Sequence, residues 1–97
     1  MKIRGSQGAI AAYMSQAKCC VYVLRSRTDR TRYYTGVTSN WRKRLEAHND
    51  GQCPHTSDAK PWDIDVIVQF TDQARALALE RYLKTGSGNA FAKRRLR

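Results

Sequence analysis

The sequence predicts an α+β fold in which three short strands alternate with helices. Two observations carry this. Runs rich in β-branched and aromatic residues stand at 19–24, 33–37 and 62–70, and such residues fit a pleated, part-buried surface. After the second and third runs come stretches that open on capping residues and carry helical apolar spacing, at 41–49 and 71–86. A chain of 97 residues, 41% of them hydrophobic, suits one small domain.

The elements follow in order. Residues 1–18, "MKIRGSQGAIAAYMSQAK", hold one short apolar patch broken by Gln and Gly. They read as a tail or loose helix rather than a secretory signal, and the domain runs over 19–97. "CCVYVL" is apolar on both faces, which predicts a central strand. "RSRTDRTR" is a polar connection, and "YYTGV" is the second strand. An eight-residue loop allows a hairpin, so the pair is expected to be antiparallel. In "TSN", Ser39 or Asn40 can cap a helix "WRKRLEAHN", which "NDG" ends. "WDIDVIVQF" alternates, with Ile64, Val66, Val68 and Phe70 on one side and Asp65, Ile67 and Gln69 on the other. Thr71 or Asp72 caps the clearest helix, whose stripe is Ala76, Leu79, Tyr82 and Leu83, and Gly86 is expected to stop it. "SGNAFAKRRLR" adds a short last helix with Phe91 and Leu96 inward.

The net charge of +10 is unevenly spread. All eight acidic residues lie between Asp29 and Glu80, and six basic residues follow Glu80 with no acid among them. A pI near 10.1 with a cationic C-terminal stretch points to a polyanion, and to nucleic acid over membrane. No apolar run reaches the ~20 residues of a membrane span. The three cysteines, Cys19, Cys20 and Cys53, are an odd number with two adjacent. They argue for a reducing, cytoplasmic setting over a disulfide scaffold. Cys53 and His55 could join Cys19 or Cys20 on zinc, but the spacing matches no standard zinc pattern.

Several polar groups need partners. Arg44 and His48 are four apart and share a helix face, while Trp41 and Leu45 anchor another. Glu80 stands beside an apolar stripe, which calls for an ion pair with Lys84 or an arginine, or for a metal at the rim of the core. Tyr22 lies inside an apolar strand, so its hydroxyl must be satisfied. Tyr33 and Tyr34 alternate faces. Gly36 shares the face of Tyr34 and leaves backbone open beside that ring; Tyr33 is assigned to packing.

"VYVL", "YYTG", "SNWRKRLEAHN" and "ALALERYLK" together resemble the GIY-YIG nuclease family, from about residue 19 onward, as a small single-domain member. The motifs stand as Cys20-Val21-Tyr22 and Tyr34-Thr35-Gly36, with Cys20 in place of the first glycine. The resemblance implies a small three-stranded antiparallel sheet flanked by helices, one divalent ion (Mg2+ or Mn2+), and hydrolysis of phosphodiester bonds, with DNA as the expected substrate and repair or recombination as the setting. It implies a catalytic set of Tyr22, Tyr34, Arg44, His48 and Glu80, with Glu80 as the metal ligand. Tyr22 would take a proton from the attacking water. A phenol of pKa ~10 needs help for that, from Arg44 or from His48 as relay. Arg44 would neutralise charge on the phosphate. Arg42, Lys43, Lys84, Asn89, Lys93, Arg94 and Arg95 are expected along the nucleic acid. The four residues Tyr22, Tyr34, Arg44 and Glu80 are expected to meet in one cleft. Two other readings stand beside this one: a binding module of the same fold with little or no activity, and a generic small basic RNA-binding protein. RNA as substrate and a homodimer or protein partner stay open.

Overall fold

The computed structural model describes residues 18–97. The tail expected over residues 1–18 lies outside them, save Lys18. The elements are β1 (Cys20–Ser26), β2 (Tyr33–Thr38), α1 (Trp41–Asn49), one 3-10 turn (Ser57–Ala59), β3 (Trp62–Gln69), α2 (Gln73–Leu83) and α3 (Gly86–Arg95). The sheet has the order β2-β1-β3, and both pairs are antiparallel. This is the α+β architecture that the strand and helix signals predict.

The apolar character of β1 on both faces explains its central place. Val21 belongs to a cluster with Ala76, Leu83 and Ala92, so α2 and α3 cover that face. Tyr22 and Leu24 belong to a second cluster with Ala59 and Trp62, flanked by Trp41 and Leu45 of α1. Each large side chain buried here contributes about 1.5–3 kcal/mol, and a strand with two covered faces collects that from both.

One expectation fails in β3, for a clear reason. The register runs Val23↔Val66 and then Leu24↔Ile64, so Asp65 is an extra, unpaired residue. A bulge of this kind turns every later side chain over. Ile64 therefore packs with the Tyr22 cluster, while Val68 and Phe70 pack with the Val21 cluster. The four do not share a face as simple alternation predicts.

The caps resolve the alternatives left by the sequence. The Asn40 side chain accepts from the Lys43 amide at the head of α1, and Asp72 accepts from Ala74 at the head of α2. Gly86 does not stop α2. That helix ends at Leu83, and Thr85 caps α3, of which Gly86 is the first residue. The residue that needs to be glycine here is Gly88, because any Cβ would overlap the Tyr82 carbonyl. Close approach of α3 to the end of α2 leaves small residues to make the contact. Tyr82 and Phe91 are accordingly pushed outside, 42% and 39% exposed, with ring centres 6.1 Å apart. Tyr82 was expected in the apolar stripe and Phe91 was expected to pack inward with Leu96; of these only Leu96 packs inward.

Candidate active site

Tyr22 stands at the middle of β1, directly opposite Gly36 of β2. Its hydroxyl lies where a side chain at Gly36 would begin: an added Cβ would sit 2.5 Å from the Tyr22 oxygen. The glycine of the second motif is thus a requirement of packing, since only a bare Cα leaves room for the phenol.

The last turn of α1 delivers His48 to that hydroxyl. Asn49, the next residue, fixes the helix end by bonding both backbone groups of Trp62. His48 is fully buried, deeper than the helix-edge position its spacing with Arg44 suggests. Its Nε2 is 3.0 Å from the Tyr22 hydroxyl and its Nδ1 is 2.8 Å from Thr56 Oγ1. Thr56 Oγ1 is in turn 3.3 Å from the Cys53 carbonyl.

A carbonyl only accepts, so the bond from Thr56 to Cys53 favours one direction for the chain. Thr56 donates to Cys53, so it accepts from His48 Nδ1–H. His48 Nε2 is then the acceptor, and the Tyr22 hydroxyl donates to it. Burial and then the charge of Arg44 hold the imidazole below its ordinary pKa of 6.5, which keeps the ring neutral at pH 7. Burial pushes the Tyr22 phenol up, while a hydrogen bond from Arg44 and its positive charge oppose that rise.

Arg44 is half-buried one turn before His48. Its guanidinium faces Tyr22, and its Nη2 is 3.8 Å from Cys53 Sγ. Tyr34 completes the group. Its ring centre is 4.8 Å from that of His48 and 6.2 Å from that of Tyr22. Tyr22, Tyr34, Arg44 and His48 therefore gather on the α1 side of the sheet.

Glu80 arrives differently. It is on α2, the helix that covers the opposite face, and it reaches the others around the edge formed by β2. Its carboxylate is 2.6 Å from Lys84 Nζ, and that ammonium is 5.9 Å from the Tyr34 ring centre. The expected single cleft with four residues is thus a cluster of Tyr22, Tyr34 and Arg44, with Glu80 linked to it through Lys84. The ion pair is the one that the i,i+4 spacing offers.

The donor set can be matched to a metal. Mg2+ takes one or two carboxylates and fills its other positions with water and phosphate oxygens. Zinc wants three or four nitrogen or sulfur donors, and among the described residues no three His, Cys, Asp or Glu side chains group together. Glu80 fits the hard oxygen donor of a magnesium or manganese ion once Lys84 gives way.

The remaining expected residues divide in two. Arg42 and Lys43 are exposed at the start of α1, with the Arg42 guanidinium 4.5 Å from the Trp41 ring centre. Lys84, Asn89 and Lys93 line one open cleft of about 730 Å³ between β2 and α3. Arg94 and Arg95 are exposed on α3 and outside its lining. Thr56 is the residue that sequence reasoning missed. It stands eight positions after His48 in a loop, and no helical or strand period connects the two.

The chain matches the model of the GIY-YIG catalytic domain over residues 18–95. It belongs to that family, a family of endonucleases with a nuclease-type fold that acts on nucleic acid and generally uses a divalent metal. A comparison with curated proteins gave no match. No helix among the described residues is long and apolar enough to cross a membrane.

Proposed function

We propose that this chain is a divalent-metal-dependent endonuclease that hydrolyses phosphodiester bonds in DNA, in repair or recombination. The observation that carries the reading is the directed hydrogen-bond chain from Tyr22 through His48 to Thr56, with a guanidinium beside the phenol. A core tyrosine needs one partner for its hydroxyl. It does not need an imidazole whose tautomer is fixed from behind.

In this reading the Tyr22 oxygen takes a proton from the attacking water while its own proton passes to His48 Nε2. A neutral imidazole is the right state to receive it. Arg44 meets the phosphate with its planar fork and offsets the negative charge that grows there. Tyr34 orients the phosphate or the water through its hydroxyl. Arg42 and Lys43 hold flanking phosphates, which positions the strand without reading its sequence. Glu80 would hold Mg2+ or Mn2+, which when bound supplies positive charge to the scissile phosphate and the leaving oxygen. The free cysteines, Cys19, Cys20 and Cys53, suit a reducing, cytoplasmic setting.

A second reading, a binding module of the same fold, has two observations on its side. Tyr22 is only 1% exposed, and the Glu80 carboxylate already has a counter-ion. Single-turnover cleavage of nicked, branched and single-stranded DNA and of RNA, with Mg2+ or Mn2+, separates the two. The nuclease reading expects cleavage that Glu80→Gln abolishes while a binding titration stays near wild type. Binding without metal-dependent cleavage of any substrate selects the binding module.

A further inference from the structure

The cleft between β2 and α3 is a second feature, which shares Tyr34 with the Tyr22 cluster. Arg32, Lys84, Lys93 and Arg97 stand around it, and two tyrosines, Tyr33 and Tyr34, form part of its wall. Not one of its lining residues is acidic, although the chain carries eight carboxylates. Val23 and Leu83 contribute apolar floor. Tyr34 also packs on His48, and Lys84 also pairs with Glu80, so the cleft opens against the candidate active site.

Tyr33 shows what the walls can hold. It was expected to pack, and it is half-buried, but its neighbours are cations. The Arg97 guanidinium lies 4.0 Å from the ring centre and that of Arg25 lies 5.2 Å away. The ring thus presents its π surface to flat cationic groups. Arg97 is steadied there by a bond to Asn89. The cleft holds about 730 Å³ between one strand and one helix. A single strand suits it: phosphates for the cations, and a base for the aromatic and apolar wall. Such a pairing of a cationic groove with an aromatic platform is the usual design for unpaired nucleic acid.

We propose that this cleft is a binding site for a single-stranded nucleic-acid segment, which runs over Tyr33 between Lys84 and Lys93 as it leaves the active site. The inference rests on nucleic acid as the partner, and it makes the substrate a duplex with an unpaired arm.

The test is a fluorescence-anisotropy titration of the full chain carrying Glu80→Gln in magnesium-free buffer, with one DNA duplex in blunt form and with a single-stranded tail. The tail should tighten binding by about tenfold, the scale of one stacked base. Tyr33→Leu, which keeps an apolar side chain, should remove most of that gain and leave blunt-duplex affinity nearly alone, and Lys93→Glu, at an exposed site, should weaken the tailed duplex more than the blunt one. Arg81→Glu makes the same charge change outside the cleft and should keep the gain. A tail that adds nothing, or an equal loss in Arg81→Glu and Lys93→Glu, overturns the proposal. No binding to either DNA overturns it together with the nuclease reading. A tail gain here, with no cleavage of either DNA by the wild-type chain in Mg2+ or Mn2+, supports the cleft and refutes the nuclease reading alone.

Discussion

The two sides of the sheet hold their polar groups in opposite ways. On the α1 side, Tyr22, His48 and Thr56 are almost wholly buried, and each hydrogen-bonding atom is committed to a partner. At the β2 edge, Glu80 and Lys84 form an ion pair whose lysine is 52% exposed. The first arrangement is fixed, because a buried donor left alone costs about 1–3 kcal/mol. The second is looser, because its ammonium end stands in water while the carboxylate is 15% exposed, and a pair open to water at one end is more easily traded. The proton-handling part of the site is built in advance, and the carboxylate part is left free to exchange one cation for another.

The most damaging way to break this contrast is at Gly36. Gly36→Ala puts a methyl into the place of the Tyr22 hydroxyl and drives the phenol away from His48. The cleavage rate should fall on the order of a hundredfold, the typical cost of one misplaced preorganised group. Unfolding in urea should show a stability loss of about 1–3 kcal/mol from overpacking. A variant that cleaves normally would mean that the Tyr22–His48 bond has no part in the reaction.

Thr56→Val keeps the shape and removes the acceptor behind His48. The stranded Nδ1–H should cost about 1–3 kcal/mol, and the imidazole becomes free to place its proton on Nε2. Thr56→Ser should restore both stability and rate. If valine and serine behave alike in single-turnover assays, the tautomer is not held from this side.

The buried ring also gives a pH signature of smaller size. The folded His48 pKa is held below its ordinary 6.5, so below that pH the unfolded chain binds a proton that the folded chain refuses. Stability therefore falls as pH drops through and below 6.5, and above it both states are neutral and the contribution is flat. Asp29 and Asp58 are held below 3.8 by their partners Thr31 and Arg32, so they titrate outside this window. Thermal melts between pH 7.5 and 5.5 should show the fall in wild type, and His48→Gln should flatten it. An unchanged slope in that variant would place the titration elsewhere.

Lys84→Met sharpens the contrast from the loose side and should cost the fold about 1 kcal/mol by thermal melt, since it leaves a carboxylate that is 15% exposed without its counter-ion. Its signature is in metal dependence. Half-maximal cleavage should need severalfold less Mg2+, because no ammonium competes for Glu80. A higher requirement would show that Lys84 assists the ion instead.

Local chemistry made much of this legible. The two apolar faces of "CVYVL" forced β1 to the centre, and the caps Asn40 and Asp72 were among the residues named for them. Arg44 and His48 on one helix face led to the Tyr22 cluster. Other parts were written in contacts between distant residues. Nothing near Asp65 announces a bulge, since its hydropathy alternates properly and only the pairing with β1 shows the slip. Gly86 looked like a helix stop because glycine is common just past helix ends, whereas the Thr85 cap and the contact of Gly88 with Tyr82 make it the start of the next helix. The family resemblance put Glu80 at the site, but neither it nor the spacing on α2 could say that this helix covers the opposite face.

That slip at Asp65 has a bearing on how copies of the chain treat each other. β3 is an outer strand, and an outer strand offers unpaired backbone groups on which another molecule can add a strand of its own. Here the run "DIDVIV" would be an inviting template if it were regular. An exposed carboxylate in its middle, on a residue outside the ladder, interrupts the repeat that such stacking requires and sets like charges against each other wherever two copies align. The irregularity that confuses the reading of the strand is thus a guard against aggregation, placed on an outer strand of the sheet.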